Sequence, residues 1–264
     1  MADCPYPLVI GEDRGAWRAL SRPWRGSLTI GDGWAILESD IGENAPHAHL
    51  AHQLTAGLDG PLLVSAHGQS TEVDQGRYAV IAAGAVHAIE PSGRRIRSVY
   101  FDRLRWSDAP RAGLPAIKVL SAEASSSLSQ CEDPIALQAW ACDGLGAGRR
   151  DGARSAALDA VLDREPAPKS PSAVAAALGI SPSRLRQISA AAFGAPIARV
   201  LQWRQVQRAA RALSVSRSLA EAAEAGDFAD QAHFTRRMRR WFGVTPGAGL
   251  LGLDIRIADR APDY

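Results

Sequence analysis

Near residue 154 the hydrophobic pattern of this 264-residue chain changes period, and that change limits its architecture more than any other feature. Before it, short apolar runs are cut by Gly, Pro, Asp and Ser: Ser27–Ile30, Trp34–Glu38, Leu62–Ala66, Tyr78–Ala82 and Arg97–Phe101. A spacing of roughly 8–12 residues between such runs predicts an all-β sandwich or barrel. After it, Ala-rich stretches repeat apolar residues every three or four positions, which predicts helices. One layer type cannot serve both halves, so the chain reads as multidomain.

Charge divides at the same place. Residues 1–120 hold 12 Lys+Arg against 13 Asp+Glu, residues 121–153 hold 2 against 5, and residues 154–250 hold 14 against 7. The formal net charge of +2 therefore combines a near-neutral front with a basic back suited to a polyanion. The expected divisions are a β domain at 1–120, a linker with a dimerisation helix at 121–153, a basic helical domain at 154–250 and a tail at 251–264. Within the linker, Pro134–Cys142 is an expected helix. No run approaches the ~18 apolar residues of a membrane span. Three Cys and the absence of a basic-then-apolar leader point to a reducing, cytoplasmic setting.

The helical half carries its own punctuation. Ser170-Pro171 opens a helix that Gly179 closes, and Ser181-Pro182 opens the next, with Leu185 and Ile188 facing inward. A short helix, a tight turn and a second polar-faced helix make a helix-turn-helix. A long helix is expected over Pro196–Leu213, with Val200, Trp203, Val206, Ala210 and Leu213 along one side. A second unit follows: a short helix at Leu219–Ala225, a turn, and a helix capped by Asp230 and stopped by Gly243. Arg and Gln on such helices can read base edges in a major groove, and further Arg can neutralise phosphates. A helical bundle with a solvated Arg face satisfies the same spacing.

Five of the six His lie between positions 47 and 87. His47 and His49 are two apart, which on a strand puts both on one face. If that face is interior, His87 on another strand completes three imidazoles suited to Zn, Ni, Cu or Fe. His52 is expected at the surface and His67 in a strand or turn. No phosphate loop, nucleophile elbow or paired metal-helix motif is present.

Two stretches resemble known families. Phe228-Ala229-Asp230-Gln231-Ala232-His233-Phe234-Thr235-Arg236, with Trp241-Phe242-Gly243-Val244-Thr245-Pro246, resembles the second helix-turn-helix of AraC-type transcription regulators. Val174–Ala192 resembles their first. The resemblance implies two recognition helices in successive major grooves of double-stranded DNA. It carries Ser183, Arg186 and Gln187 of the first helix, and Gln231, His233, Thr235, Arg236 and Arg239 of the second, onto DNA-contacting places. Ser189 stands where an aromatic is usual, and Asp227 where a Gly is usual. The segments Gly42-x4-His47-x-His49-x3-Gln53 and Gly76-x5-Ala82-x-Gly84-x2-His87 resemble the two cupin motifs. That resemblance implies a small β-barrel sensor and carries His47, His49, Gln53 and His87 onto metal-ligand places, with Gln53 replacing a carboxylate and Ala82 a Pro. The fold expected is an N-terminal all-β cupin-like barrel plus a C-terminal all-α domain with two helix-turn-helix units. The function expected is a homodimeric, non-enzymatic regulator controlled by a small molecule or by a divalent metal (Zn, Ni, Cu, Fe or Mn). The competing readings are a metal-dependent cupin enzyme and a constitutive DNA binder with a degenerate barrel.

Overall fold

The computed structural model describes residues 23–102, 115–131, 137 and 153–258. The expected helix at Pro134–Cys142 falls, apart from Leu137, outside these residues. The front half is β1 (Arg25–Ile30), β2 (Trp34–Asp40), β3 (Ala51–Gly57), β4 (Leu62–Ala66), β5 (Gln69–Val73), β6 (Ala79–Ile81), β7 (His87–Ile89), β8 (Arg95–Asp102) and β9 (Ile117–Val119). Helix α1 (Ala122–Ser129) follows, capped by Ser121. The back half is α2 (Ala153–Leu162), α3 (Pro171–Leu178), α4 (Pro182–Phe193), α5 (Ile197–Ser216), α6 (Leu219–Ala225), α7 (Gln231–Phe242), the single turn α8 (Pro246–Gly249) and a last strand, β10 (Leu253–Ile257).

The β domain is two sheets and not a closed barrel, which corrects the expected topology. One sheet has the order β10-β1-β2-β8-β3-β6-β9 and the other β5-β4-β7. Among the described residues β9 and β10, at the two edges of the larger sheet, do not pair, so no ring of strands closes. The sheets share one apolar core, with Leu37, Ala79, Ile81 and Ile96 on one side and Leu62, Val64, Val73 and Ile89 on the other. The opposite face of the larger sheet is also covered. Leu54, Ala56, Val80, Val99 and Phe101 pack with Leu128 of α1 and with Leu137.

Double coverage explains β3, all seven residues of which are buried. It also corrects the expectation for His52, which is 8% exposed and accepts a hydrogen bond from the Ala83 amide. His67 sits at φ 51 in a two-residue hairpin with Gly68 at φ 76. Both φ values are positive, as a type I′ turn requires, and Ala66 pairs with Gln69 on either side.

The helices begin and end on the residues that cap them. Side chains of Ser170, Ser181, Ser218 and Asp230 accept from the third residue's amide of α3, α4, α6 and α7. Such caps are each worth about 0.5–2 kcal/mol. Buried Val174, Leu185, Phe193, Val200, Phe234 and Trp241 join the helices into one core. Strand β10 lies in the stretch expected to be a tail. It pairs in parallel with β1 from Gly26–Leu253 to Ile30–Ile257, so the chain's last strand is an edge of the sensor sheet.

Candidate effector site and nucleic-acid interface

His47, His49 and His87 come together although only His87 begins a regular strand. His47 and His87 exchange both backbone hydrogen bonds at 2.9 Å, which locks their rings side by side. Ring centroids are 4.3 Å apart for His47–His87, 5.1 Å for His49–His87 and 5.8 Å for His47–His49. One ring nitrogen from each lies within 4.8 Å of the others.

The backbone sets the tautomers. Nδ1 of His47, His49 and His87 lies 2.9, 2.8 and 3.0 Å from the carbonyls of Ala45, Ala51 and Ala85. A carbonyl only accepts, so each Nδ1 donates and each neutral ring keeps its lone pair on Nε2. Burial is the main force keeping the rings neutral. It holds His47 well below the usual imidazole range, reinforced by His87 and His49. It pushes His49 down to about 3, with His87 adding to it, and it also lowers His87.

Gln53, on β3, closes the cluster. Its Oε1 lies 3.1 Å from His49 Nε2 and 3.2 Å from His87 Nε2, and its Nε2 donates to the Ser98 hydroxyl at 3.2 Å. Ser98 in turn contacts the Thr55 hydroxyl at 2.8 Å. With the oxygen inward, four acceptors converge and a cation or a donor is needed between them. With the amide turned, its NH2 donates to His49 and His87, and Ser98 donates to its oxygen. The Gln53 amide therefore distinguishes a metal-bearing cluster from a metal-free one.

The cluster opens into a cavity of about 140 Å³ between the β domain and the helical domain. Its sensor wall includes Trp24, Trp34, His47, Gln53 and Tyr100, and its helical wall includes Trp203, Val206, Ala210, Met238 and Phe242. Among the described residues no Asp, Glu, Lys or Arg lines it. Tyr100 is pushed up to about 12 by burial, so its hydroxyl stays neutral. The His49 ring lies 6.3 Å from Trp203 and 6.1 Å from Phe242, and those two stack at 5.5 Å.

Hydrogen bonds tie the β domain to the helical domain around the cavity. Ala45 N donates to Gly243 O at 2.8 Å, Trp24 N to Ala248 O at 2.9 Å, and Arg211 to Gly31 O at 2.7 Å. Gly243 has φ 69, and a Cβ there would run into the backbone of Ala45. Sequence reasoning missed the helical wall of this site, because Trp203 and Val206 step along one side of a long helix and read as its core. Nothing in their spacing says that part of that core is shared with a β domain.

The DNA-facing candidates lie on α4 and α7. Ser183, Arg186 and Gln187 are exposed on α4, where Arg184 donates to Gln187 Oε1 at 3.0 Å. Gln231, Arg236 and Arg239 are exposed on α7. Thr235 and His233 are half-buried. The His233 ring sits edge-on to Phe228 at 5.3 Å, and its Nε2 accepts from Arg237 at 3.2 Å.

Residues 174–249 match the family model described as a helix-turn-helix domain. This region is an AraC-type helix-turn-helix domain. The whole layout is similar to ToxT from Vibrio cholerae. An apo ToxT structure aligns over 81% of this chain and 96% of its own, with TM-score 0.54 and 7% identity. A ToxT structure described as bound to an unsaturated fatty acid aligns over 81% and 93%, with TM-score 0.55 and 8% identity. At that identity the likeness is one of fold. Curated proteins give no sequence match to the chain.

Both departures from the AraC-type pattern have a structural answer. Buried Ser189 donates to the Ala195 carbonyl at 2.7 Å, tying α4 to the start of α5, while Phe193 fills the core. Asp227 takes a positive φ of 56 in the turn before α7. Its carboxylate meets Lys169 at 2.7 Å and Arg208 at 3.1 Å, and Lys169, the largest influence, holds it below the usual carboxylate range.

Proposed function

We propose that this AraC-type DNA-binding regulator is controlled by a small effector held in the cavity between its two domains. One observation carries the reading: Met238 and Phe242 line the cavity from the C-terminal half of α7, and the same helix exposes Gln231, Arg236 and Arg239. An occupant of the cavity therefore touches the same helix that carries the proposed DNA contacts. It shifts DNA affinity to the extent that it binds one arrangement of sensor and helix more tightly than another.

In this reading Ser183, Arg186 and Gln187 on α4, with Gln231, His233, Thr235, Arg236 and Arg239 on α7, meet two segments of major groove. His233 acts through the hold it has on Arg237. A homodimer repeats this pair of helices along adjacent sites. Among the described residues no helix is long and apolar enough to cross a membrane, and the proposed setting is the cytoplasm, where duplex DNA is available. The fatty acid in ToxT is that protein's ligand; it supports here only the idea that this layout accommodates an effector.

A second reading rests on the three converging Nε2 lone pairs. His47, His49 and His87, with Gln53 through its oxygen, fit a divalent transition metal such as Zn, Ni, Cu, Fe or Mn. Each Nδ1–H is already oriented by a carbonyl, as metal-bound imidazoles usually are. The donor set is neutral, so the metal's charge would stand uncompensated in an apolar pocket. When bound, the metal would supply a Lewis-acidic anchor for an effector oxygen.

The deciding experiment is a footprint of the full chain on the DNA upstream of its own coding region, across a salt series. Protection of two adjacent groove segments is expected. No protection at any salt concentration removes DNA binding from the reading.

A further inference from the structure

We infer that the effector is an uncharged molecule about the size of one aromatic ring, carrying one hydroxyl or N–H donor that bonds to His47. The inference rests on the cavity being the effector site and concerns the ligand's chemistry.

Size comes first. The cavity holds about 140 Å³. An engineered protein cavity of roughly 150 Å³ lined by Leu, Ile and Phe takes up benzene. A single ring fits this space, and a long acyl chain overfills it.

Charge comes second. Among the described residues no lining residue is acidic or basic, and the polar members of the wall are neutral groups: Asn44, His47, Gln53, Tyr100 and Gln207. A carboxylate or ammonium entering here loses its water and meets no counter-ion. Flat rings also have flat partners, because Trp24, Trp34, Tyr100, Trp203 and Phe242 surround the space, and Trp203 and Phe242 are already stacked. Ring-on-ring contact adds to area burial.

Polarity comes last. Asn44 is committed to the backbone: its amide donates to the Ile89 carbonyl at 2.7 Å and its oxygen accepts from the Ile89 amide at 3.1 Å. His47 is different. Its Nδ1–H is spent on Ala45, so its remaining nitrogen is an acceptor, and the residue lies on the cavity wall. Turning Gln53 satisfies His49 and His87 and leaves that acceptor as it was. A ligand O–H or N–H donates to that acceptor, and a purely apolar ring does not.

The test uses the full chain, purified and dialysed against chelator, with binding read by calorimetry and tryptophan fluorescence in the absence of DNA. The probes are phenol, toluene, benzoate, a long-chain unsaturated fatty acid and Zn²⁺ alone. Phenol is expected to bind roughly tenfold more tightly than toluene, the value of about one net hydrogen bond. Benzoate and the fatty acid are expected to bind more weakly than either. In His47→Leu, phenol and toluene should become equal while toluene still binds, which an unfolded variant cannot mimic. Ala210→Phe fills the cavity from a half-buried position and should abolish both. Tighter binding of benzoate or the fatty acid than of phenol overturns the inference. So do equal affinities of phenol and toluene for the unaltered chain, and stabilisation by Zn²⁺ with no phenol binding. The footprint, repeated with phenol, separates the two proposals. Phenol binding with unchanged protection keeps the ligand class and removes the regulatory role. Protection that no ring compound alters, with no phenol binding, keeps DNA binding and removes this inference.

Discussion

The two helix-turn-helix units have the same plan and different neighbours. In the first, α3 and α4 contribute no lining residue to the interdomain cavity. In the second, α7 contributes Met238 and Phe242, and the backbone just beyond it bonds to the sensor through Gly243 and Ala248. Strand β10 then carries the chain into the sensor sheet. In the proposed reading, one arm of the DNA reader is fixed and the other reports on the cavity. Effector control should therefore fall first on the groove segment read by α7, and the segment read by α4 should change through the long helix α5.

The comparison can be attacked hardest at Trp203, which is 4% exposed and belongs to both the cavity and the helical core. Trp203→Ala should cost about 3–5 kcal/mol in urea denaturation, as large-to-small core changes do. It should also release protection of the Ala45 amide from hydrogen exchange. Phe193→Ala, in the first unit, should cost a similar amount and leave the Ala45 amide protected. Equal loss of protection in both variants would show that the two arms are not mechanically distinct.

A sharper pair is Gly179 and Gly243, which end helices of the first and second unit with φ 64 and φ 69. At Gly179 an added Cβ meets open space, so Gly179→Ala carries only the left-handed backbone penalty, about 1 kcal/mol. At Gly243 the Cβ meets the Ala45 backbone, and the sensor must move. Gly243→Ala should cost about 1–3 kcal/mol and lower the melting temperature more than Gly179→Ala does. Identical melting temperatures would refute the close contact at the joint.

Acid should weaken the sensor side of the joint. His49 in the folded chain titrates near 3, and an unfolded His near 6.5, so the unfolded state takes up the proton first. The folded pKa is depressed, so stability falls as pH drops below about 6.5 and keeps falling toward the folded value. His47 and His87 shift in the same direction. The loss should be on the order of 1 kcal/mol per pH unit from His49 alone. Urea midpoints at pH 7.0 and 5.5 measure it, and a flat profile would mean that the three rings are not buried together.

Much of the helical half was legible because its signals are local. Ser170, Ser181 and Asp230 cap by hydrogen bonds three residues long, and Gly179 and Gly243 end helices by their own backbone freedom. The His47, His49 and His87 grouping was also visible, as spacing plus resemblance. Three things were hidden, and each depends on a distant part of the chain. Helix α1 forms within the Ser-rich stretch Ser125–Ser129, where buried Ser125 accepts from the Tyr78 amide at 3.0 Å, a partner 47 residues away. Strand β10 has only the short alternation of Leu253, Ile255 and Ile257 to announce it, and becomes a strand because β1 offers a free edge. The barrel did not close because pairing at β9 and β10 ends the larger sheet, a matter of strand order that alternation does not encode.

The smallest effect concerns how the two arms are held relative to each other. Asp227 joins Lys169, which precedes the first unit, to Arg208 on α5, from the turn within the second. Asp227→Gly removes both ion pairs and relieves the positive φ at once. Exposed pairs contribute about 0.2–1 kcal/mol each, and the relief offsets part of that, so overall stability should change by a few tenths of a kcal/mol. Geometry should change more than stability. If these pairs set the angle between α4 and α7, the variant should bind a DNA carrying both half-sites several-fold more weakly, with unchanged affinity for either half-site alone. A parallel loss on the half-sites would instead place Asp227 in the electrostatics of the α7 surface. Unchanged binding to all three would leave Ser189 and the α4–α5 junction as what fixes the first arm.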